Sequence, residues 1–239
     1  KKDTLVLGSD SAKKMSKWNE SCWKMTAFGI LAITGLVVAW DEPWFSDTKH
    51  FWVGCTDFPC NHHSGRDIRW FYSMEMGFYI YSIPSLFFWE TRRKDFLEHA
   101  AHHHVTLFLI LYSHYVNFMR VGVMVMVLHD VCDIWLEIAK LGNYANSEIL
   151  STGFFIVFLM VWISMRLVYF PLWIIRSTMY EVISEVADKV PHIPREPHYS
   201  LFNGLLITLF LLHIYWTFLI LKVVKGKLKS GKTQDVRED

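Results

Sequence analysis

Residues 93–140 read RKDFLEHAAHHHVTLFLILYSHYVNFMRVGVMVMVLHDVCDIWLEIAK, and they set ionisable groups into what is otherwise membrane sequence. The runs 107–111 and 121–128 are almost purely apolar. Around them stand His102-His103-His104, Arg120, His129-Asp130, Asp133, Glu137 and Lys140. An ionisable group at the centre of a bilayer costs about 2.5–3.5 kcal/mol on insertion scales, so such groups are rare there and gather at functional sites. Two histidines and two aspartates on neighbouring apolar segments (His102, His103, Asp130 and Asp133) therefore define a candidate site.

The rest of the chain agrees with a membrane reading. Of its 239 residues 52% are hydrophobic and 16% aromatic. Charged residues make up 20% and sit in short clusters, against about 25% in soluble domains. A net charge of +1 gives no bulk attraction to nucleic acid. The chain starts at Lys1 rather than Met, which predicts a fragment or processed form, and no signal-peptide pattern precedes the first apolar run.

Six apolar segments can be drawn, over about 22–40, 70–89, 99–118, 121–139, 150–167 and 201–224, each near the roughly 20 residues that a spanning helix needs. The expected fold is an all-α integral membrane protein, with about six transmembrane helices enclosing an intramembrane pocket. Pro84 predicts a kink in the second helix. Only Met119, Arg120 and Val121 join the third and fourth, which predicts a tight antiparallel hairpin. Six spans place the Lys and Arg clusters before residue 25, at 92–94 and after residue 221 on one side, which the positive-inside rule makes cytosolic. Residues 1–17 and 225–239 are then cytosolic, 18–224 form the membrane domain, and 41–69 and 168–200 face the lumen. Cys55 and Cys60 fall in that oxidising compartment, which leaves a local disulfide open. His62-His63 beside them leaves zinc open as well, although a solvated loop is the plainer reading. Cys22 and Cys132 read as small apolar residues.

Helical spacing places the ionisable groups on two stripes. On the third segment His99, His102 or His103, Thr106, Ile110, Ser113 and Asn117 recur at three- and four-residue steps. On the fourth, Gly122, Met126, His129 or Asp130, Asp133, Glu137 and Lys140 do the same. His102 lies 18 residues before Arg120 and Asp133 13 after it, a depth mismatch of about 7 Å in an antiparallel pair. The stripes can therefore face one another toward the cytosolic half. A histidine beside a buried carboxylate can serve as general base or as nucleophile. The alternative is an interhelical salt bridge with no chemistry. Four such groups at similar depth, with no lysine close by to neutralise the aspartates, favour function. The spacing His99-x-x-His102-His103 also resembles one histidine box of membrane di-iron enzymes, but such sites need several boxes and the remaining histidines do not supply them.

These residues carry a family resemblance. Arg92-Arg93-Lys94-Asp95-Phe96, His102-His103, Thr106, Arg120, Gly122, Leu128-His129-Asp130-x-x-Asp133, Leu136-Glu137, Ala139-Lys140 and Asn143-Tyr144 resemble the long signature of the ceramide synthases within the TLC domain. The likeness extends over about 18–222, including Glu42-Pro43-Trp44-Phe45 and Phe51-Trp52-Val53-Gly54, and looks most like plant-type members. It departs at His104, where an apolar residue is usual, and at Cys132, where a small polar one is. An extra N-terminal span and a homeobox-like insert, found in many members, are not seen before the domain.

The resemblance implies N-acylation of a sphingoid base (sphinganine or phytosphinganine) by a fatty acyl-CoA, in a multi-pass protein of the endoplasmic reticulum membrane. The catalytic residues it implies are His102, His103, Asp130 and Asp133. Thr106, Ser113, His129 and Glu137 fit as substrate-binding residues beside them, and Arg92, Arg93 and Lys94 as contacts for coenzyme A phosphates, unless these last are topology signals alone. No metal and no cofactor are implied, acyl-CoA being a substrate. Membrane lipids are expected around the chain, and a homo- or hetero-dimer stays open. A non-catalytic TLC protein that binds or senses lipids, or assists translocation, is the other class of reading, and it has no need of all four His and Asp groups. Two chemical routes fit: a histidine deprotonates the amine for direct attack, or His102, oriented by Asp133, first takes the acyl group as an acyl-imidazole. Acyl chain length, which the resemblance links to about 168–200, is not readable.

Overall fold

The computed structural model describes residues 2–61, 65–190 and 195–230, and among these there are helices and loops but no strand. In chain order the helices are α1 (Lys2–Ala39), the single turn α2 (Pro43–Ser46), α3 (Arg66–Phe88), α4 (Phe96–Tyr115), α5 (Met119–Tyr144), α6 (Glu148–Ala187) and α7 (His198–Ser230). Each of the six long helices contains one of the apolar segments. Pro84 lies within α3, which runs on past it to Phe88.

The helices alternate in direction, so that their connections gather at two ends. At one end Arg93 pairs with Glu20, Lys24 with Glu90, Lys14 Nζ donates to Asn146 and Lys227 Nζ to Thr152. These contacts tie the α3–α4 and α5–α6 turns to α1 and α7. At the other end residues 41–61 fold as a cap. Trp44, Phe51 and Trp52 are buried there, and a disulfide joins Cys55 to Cys60. Trp52 Nε1 donates to Ser177 Oγ at 2.9 Å and Thr48 Oγ1 to Glu181 Oε2 at 2.7 Å. Arg120 Nη1 donates to the carbonyls of His50 and Val53, which pins the cap to the α4–α5 turn. Asn117 makes that turn with φ 62°, a left-handed conformation that asparagine tolerates. The disulfide uses both sulfurs that the zinc reading required as thiolates, and His62 and His63 lie outside the described residues.

α5 is the central helix, packed chiefly on α1 and α6. Small residues allow the close approaches. A Cβ on Gly35 would lie 2.4 Å from Val127 Cγ2, and one on Gly122 would lie 1.7 Å from the Tyr72 hydroxyl. α4 instead packs on α3 and α7 and meets α5 little along its length. A tight turn does form, but at 116–118: Met119, Arg120 and Val121, expected to join the helices, already belong to α5, and the two helices leave the turn at a slant instead of lying side by side.

The fifth segment needs a correction at its end. The helix does not stop near residue 167 but runs to Ala187, its hydrogen bonds passing to the wider i→i+5 pattern from Ile163. The wide turns bring residues four apart close to one line: Trp162, Arg166, Phe170, Ile174 and Thr178 are all buried. Of the expected luminal stretch 168–200, only 188–197 connects two helices, and 191–194 lie outside the described residues.

The surface is apolar where a soluble protein would be polar. Ile33, Val37, Phe88, Leu97, Ile149, Met160, Leu172, Leu211 and Phe218 all face outward, while Glu75, Asp130, Arg166 and His213 are enclosed. Three helical stretches are long and apolar enough to cross a membrane: Ser11–Ala39, Glu148–Ala187 and His198–Lys229. α3, α4 and α5 fall outside that class because they carry the polar groups of the interior.

Candidate functional site

The slant between α4 and α5 opens a cavity with about 1320 Å³ of empty space, mouth included, toward the end where the Lys and Arg clusters gather. His102 and His103 of α4 line it together with Asp133 and Glu137 of α5. Both histidines are buried, and both Nδ1 atoms are enclosed without a hydrogen-bond partner. Nε2 is therefore the nitrogen that each ring offers. The His102 ring lies against His129, with centroids 6.0 Å apart and planes at 26°, and edge-on to Trp216 at 5.4 Å. Trp216 is anchored by donating Nε1 to Asp95 Oδ2 at 3.0 Å. With the turn centred on Asn117, an antiparallel pair sets His102 opposite Cys132, and His129 lies within one helical turn of that position.

His129 lines neither cavity; it forms the floor under His102. Its Nδ1 lies 2.6 Å from the Val125 carbonyl, which can only accept, so Nδ1 carries the proton and Nε2 is an acceptor. His213 of α7 supplies the donor, Nε2 to Nε2 at 3.0 Å. This imidazole pair ties α7 to α5 and fixes the tautomers of both rings.

Asp133 does not meet a histidine. Its Oδ1 accepts from Arg166 Nη2 of α6 at 2.7 Å, and the same nitrogen donates to the His129 carbonyl at 3.2 Å. The guanidinium lies over the Trp162 ring at 4.8 Å. The aspartates therefore do have a neutralising cation close by, an arginine from another helix, and the structure assigns Asp133 to it and not to orienting His102. Asp130, 1% exposed, points away from the cavity toward Glu75 of α3, which is fully enclosed. The two carboxyls are enclosed together, and both Glu75 oxygens and Asp130 Oδ2 are buried without a hydrogen-bond partner.

The remaining expected residues divide between two places. At the mouth, Glu137 pairs with Lys140 at 2.6 Å and Arg93 is held by Glu20, both bordering the cavity with Lys24. Arg92 lies over the Phe96 ring at 4.4 Å and Lys94 is exposed. Thr106 and Ser113 border a second cavity of about 990 Å³, further along α4 and almost wholly apolar. Ser113 shares a hydrogen bond with the Tyr72 hydroxyl at 3.1 Å.

Arg166, His213, Glu75 and Trp216 escaped the sequence reading. The signal was present, since an ionisable residue inside an apolar segment is the feature that marked His102 and Asp133. Arg166, His213 and Glu75 stand in three different segments, so only the fold reveals their partners; Trp216 is not ionisable and carries no such signal.

Comparison with known proteins now bears on this arrangement. Residues 17–222 match the family model of the TLC domain (TRAM, LAG1 and CLN8). The chain belongs to the TLC domain family. Among similar TLC proteins, ceramide synthase 1 LOH3 of Arabidopsis thaliana is 42% identical over 241 residues, covering 98% of this chain and 78% of the relative. ASC1-like protein 1 of Oryza sativa subsp. japonica is 40% identical over 237 residues, 96% of this chain and 75% of the relative. Ceramide synthase 5 of Homo sapiens is 36% identical over 234 residues, 96% of this chain and 56% of the relative. The buried His and Asp groups thus stand inside the TLC domain, which is all-helical here and presents an apolar exterior.

Proposed function

We propose that this TLC domain is a ceramide synthase, which joins a fatty acyl group from acyl-CoA to the amine of a sphingoid base. The observation that carries the reading is the cavity at the basic end, lined by the two buried histidines His102 and His103. Relatives named ceramide synthases match nearly the whole chain. Six spans carry the chain across the membrane of the endoplasmic reticulum, with the basic end cytosolic and the disulfide-bonded cap in the lumen.

The geometry suits the substrates. The hydrocarbon chain runs along α4 into the apolar cavity past Thr106 and Ser113. The thioester then rests at His102 and coenzyme A stays at the mouth near Arg92, Arg93 and Lys94. His102 Nε2 attacks the thioester carbonyl, coenzyme A leaves, and the amine takes the acyl group from the imidazole. The burial of His102 limits the access of water to the acyl-imidazole. His103 is placed to take the amine proton. No resident cofactor is required.

Purified protein incubated with acyl-CoA of several lengths and sphinganine or phytosphinganine tests the reading. The amide product is expected with at least one chain length, and absent with His102→Ala. No amide across the panel would overturn it.

A further inference from the structure

Arg166 is a cation without a role in the mechanism so far. It stands in α6, one of the helices apolar enough to cross a membrane, and is only 2% exposed. Asp133 answers its charge, yet the Asp133 and His129 carbonyl contacts both engage a single nitrogen, Nη2. A guanidinium carries five N–H donors in a fixed fork. Nε is buried without a partner, and among the described residues no acceptor is found for Nη1. Its other polar neighbours are Cys132, which offers only a weak sulfur acceptor, and Tyr79, which lines the same cavity as Arg166. Holding Asp133 would need one donor; with Nη2 engaged and Nε enclosed, Nη1 is left over on a side chain that lines the same cavity as His102 and His103.

We propose that Arg166 is a catalytic residue, the donor that receives the negative charge on the carbonyl oxygen during acyl transfer. The inference rests on the acyltransferase reading above. When His102 Nε2 bonds to the thioester carbon, the C=O electron pair moves onto oxygen, and the guanidinium N–H groups hold that oxyanion. The pair returns, the C–S bond breaks, and coenzyme A leaves as its thiolate, while the ring keeps its Nδ1 proton as an acyl-imidazolium. The amine then adds to the acyl group and raises an oxyanion at the same place. Its collapse breaks the carbon–imidazole bond, restores the neutral ring with its Nδ1 proton, and the proton lost from the nitrogen of the amine passes to His103, balancing the one that the thiolate takes up from water at the mouth. One fixed cation serves both additions, with Asp133 holding it in position.

Arg166→Lys keeps a cation opposite Asp133 but loses the fork. Turnover of acyl-CoA with sphinganine is expected to fall about 10²–10³-fold, the loss typical of one oxyanion donor, with KM changed only a few-fold. A second substrate separates this role from a structural one: the coenzyme A dithioester, whose C=S sulfur is a poor acceptor. The wild-type protein should prefer the oxygen substrate by about 10² or more, and Arg166→Lys should lose most of that preference. An unchanged oxygen-to-sulfur preference in Arg166→Lys would mean that Arg166 only holds Asp133. If the variant does not fold, the wild-type preference alone decides, since a ratio near one overturns the proposal. A wild-type protein that makes no amide overturns the acyltransferase reading itself, an outcome distinct from either.

Discussion

The ring of His102 is set by the face of His129 and the edge of Trp216, with Nδ1 enclosed, on a residue that lines the cavity. In the proposed route, removing the ring removes the nucleophile but little of the helix packing. His102→Ala should lose several orders of magnitude in turnover while its thermal unfolding stays close to wild type, measured on the same purified sample. His104 points outward and donates Nδ1 to the Ala100 carbonyl, so His104→Leu should retain most activity. One helix away, His213→Leu would leave His129 Nε2 buried without its donor, a loss of about 1–3 kcal/mol that denaturant unfolding can read. His213→Gln, whose amide can donate, should recover part of it. His102, His103 and Asp133, which line the cavity, were legible as a cluster at helical spacing within one stretch of chain, whereas Asp130 of the same cluster turns toward Glu75. Arg166 and His213 were not legible, because their partners come from other helices.

α3 and α5 touch where Gly122 admits the Tyr72 hydroxyl, which bonds to Ser113 and to the Met119 carbonyl. Gly122→Ala puts a methyl group 1.7 Å from that oxygen, and should destabilise by about 1–3 kcal/mol. Tyr72→Phe in the same chain removes the clashing atom and should restore part of the loss, by thermal unfolding. Helices α3, α4, α5 and α7 were readable as apolar runs because lipid or packed core surrounds them. The second half of α6 was not, because Arg176, Ser177 and Glu181 look like loop. Ser177 and Glu181 instead bond to Trp52 and Thr48 of the cap, so protein and not lipid covers that face. The slant of α4 against α5 was equally invisible: spacing gives a face, and only the competing contacts of α4 with α3 and α7 give a direction.

Across the whole molecule, the two ends differ in chemistry as a membrane's two sides do. The cap end has a disulfide spanning five residues of sequence. Cys55→Ser with Cys60→Ser should destabilise by about 2 kcal/mol on loop-entropy grounds, seen as a lower unfolding midpoint without reductant. At the opposite end Asn19-Glu20-Ser21 is the chain's one N-x-S/T sequon. A cytosolic basic end predicts that Asn19 carries no glycan in a eukaryotic host. A glycosidase-sensitive shift at Asn19 would reverse the orientation. Between the two ends, the account rests on His102 carrying the acyl group from one substrate to the other. The direct measurement is the intact mass of the protein after incubation with acyl-CoA alone. The account predicts one added acyl group, coenzyme A released in equal amount, no addition in His102→Ala, and loss of the added mass once sphinganine is supplied. An unmodified mass, with no coenzyme A released before the base arrives, would contradict it.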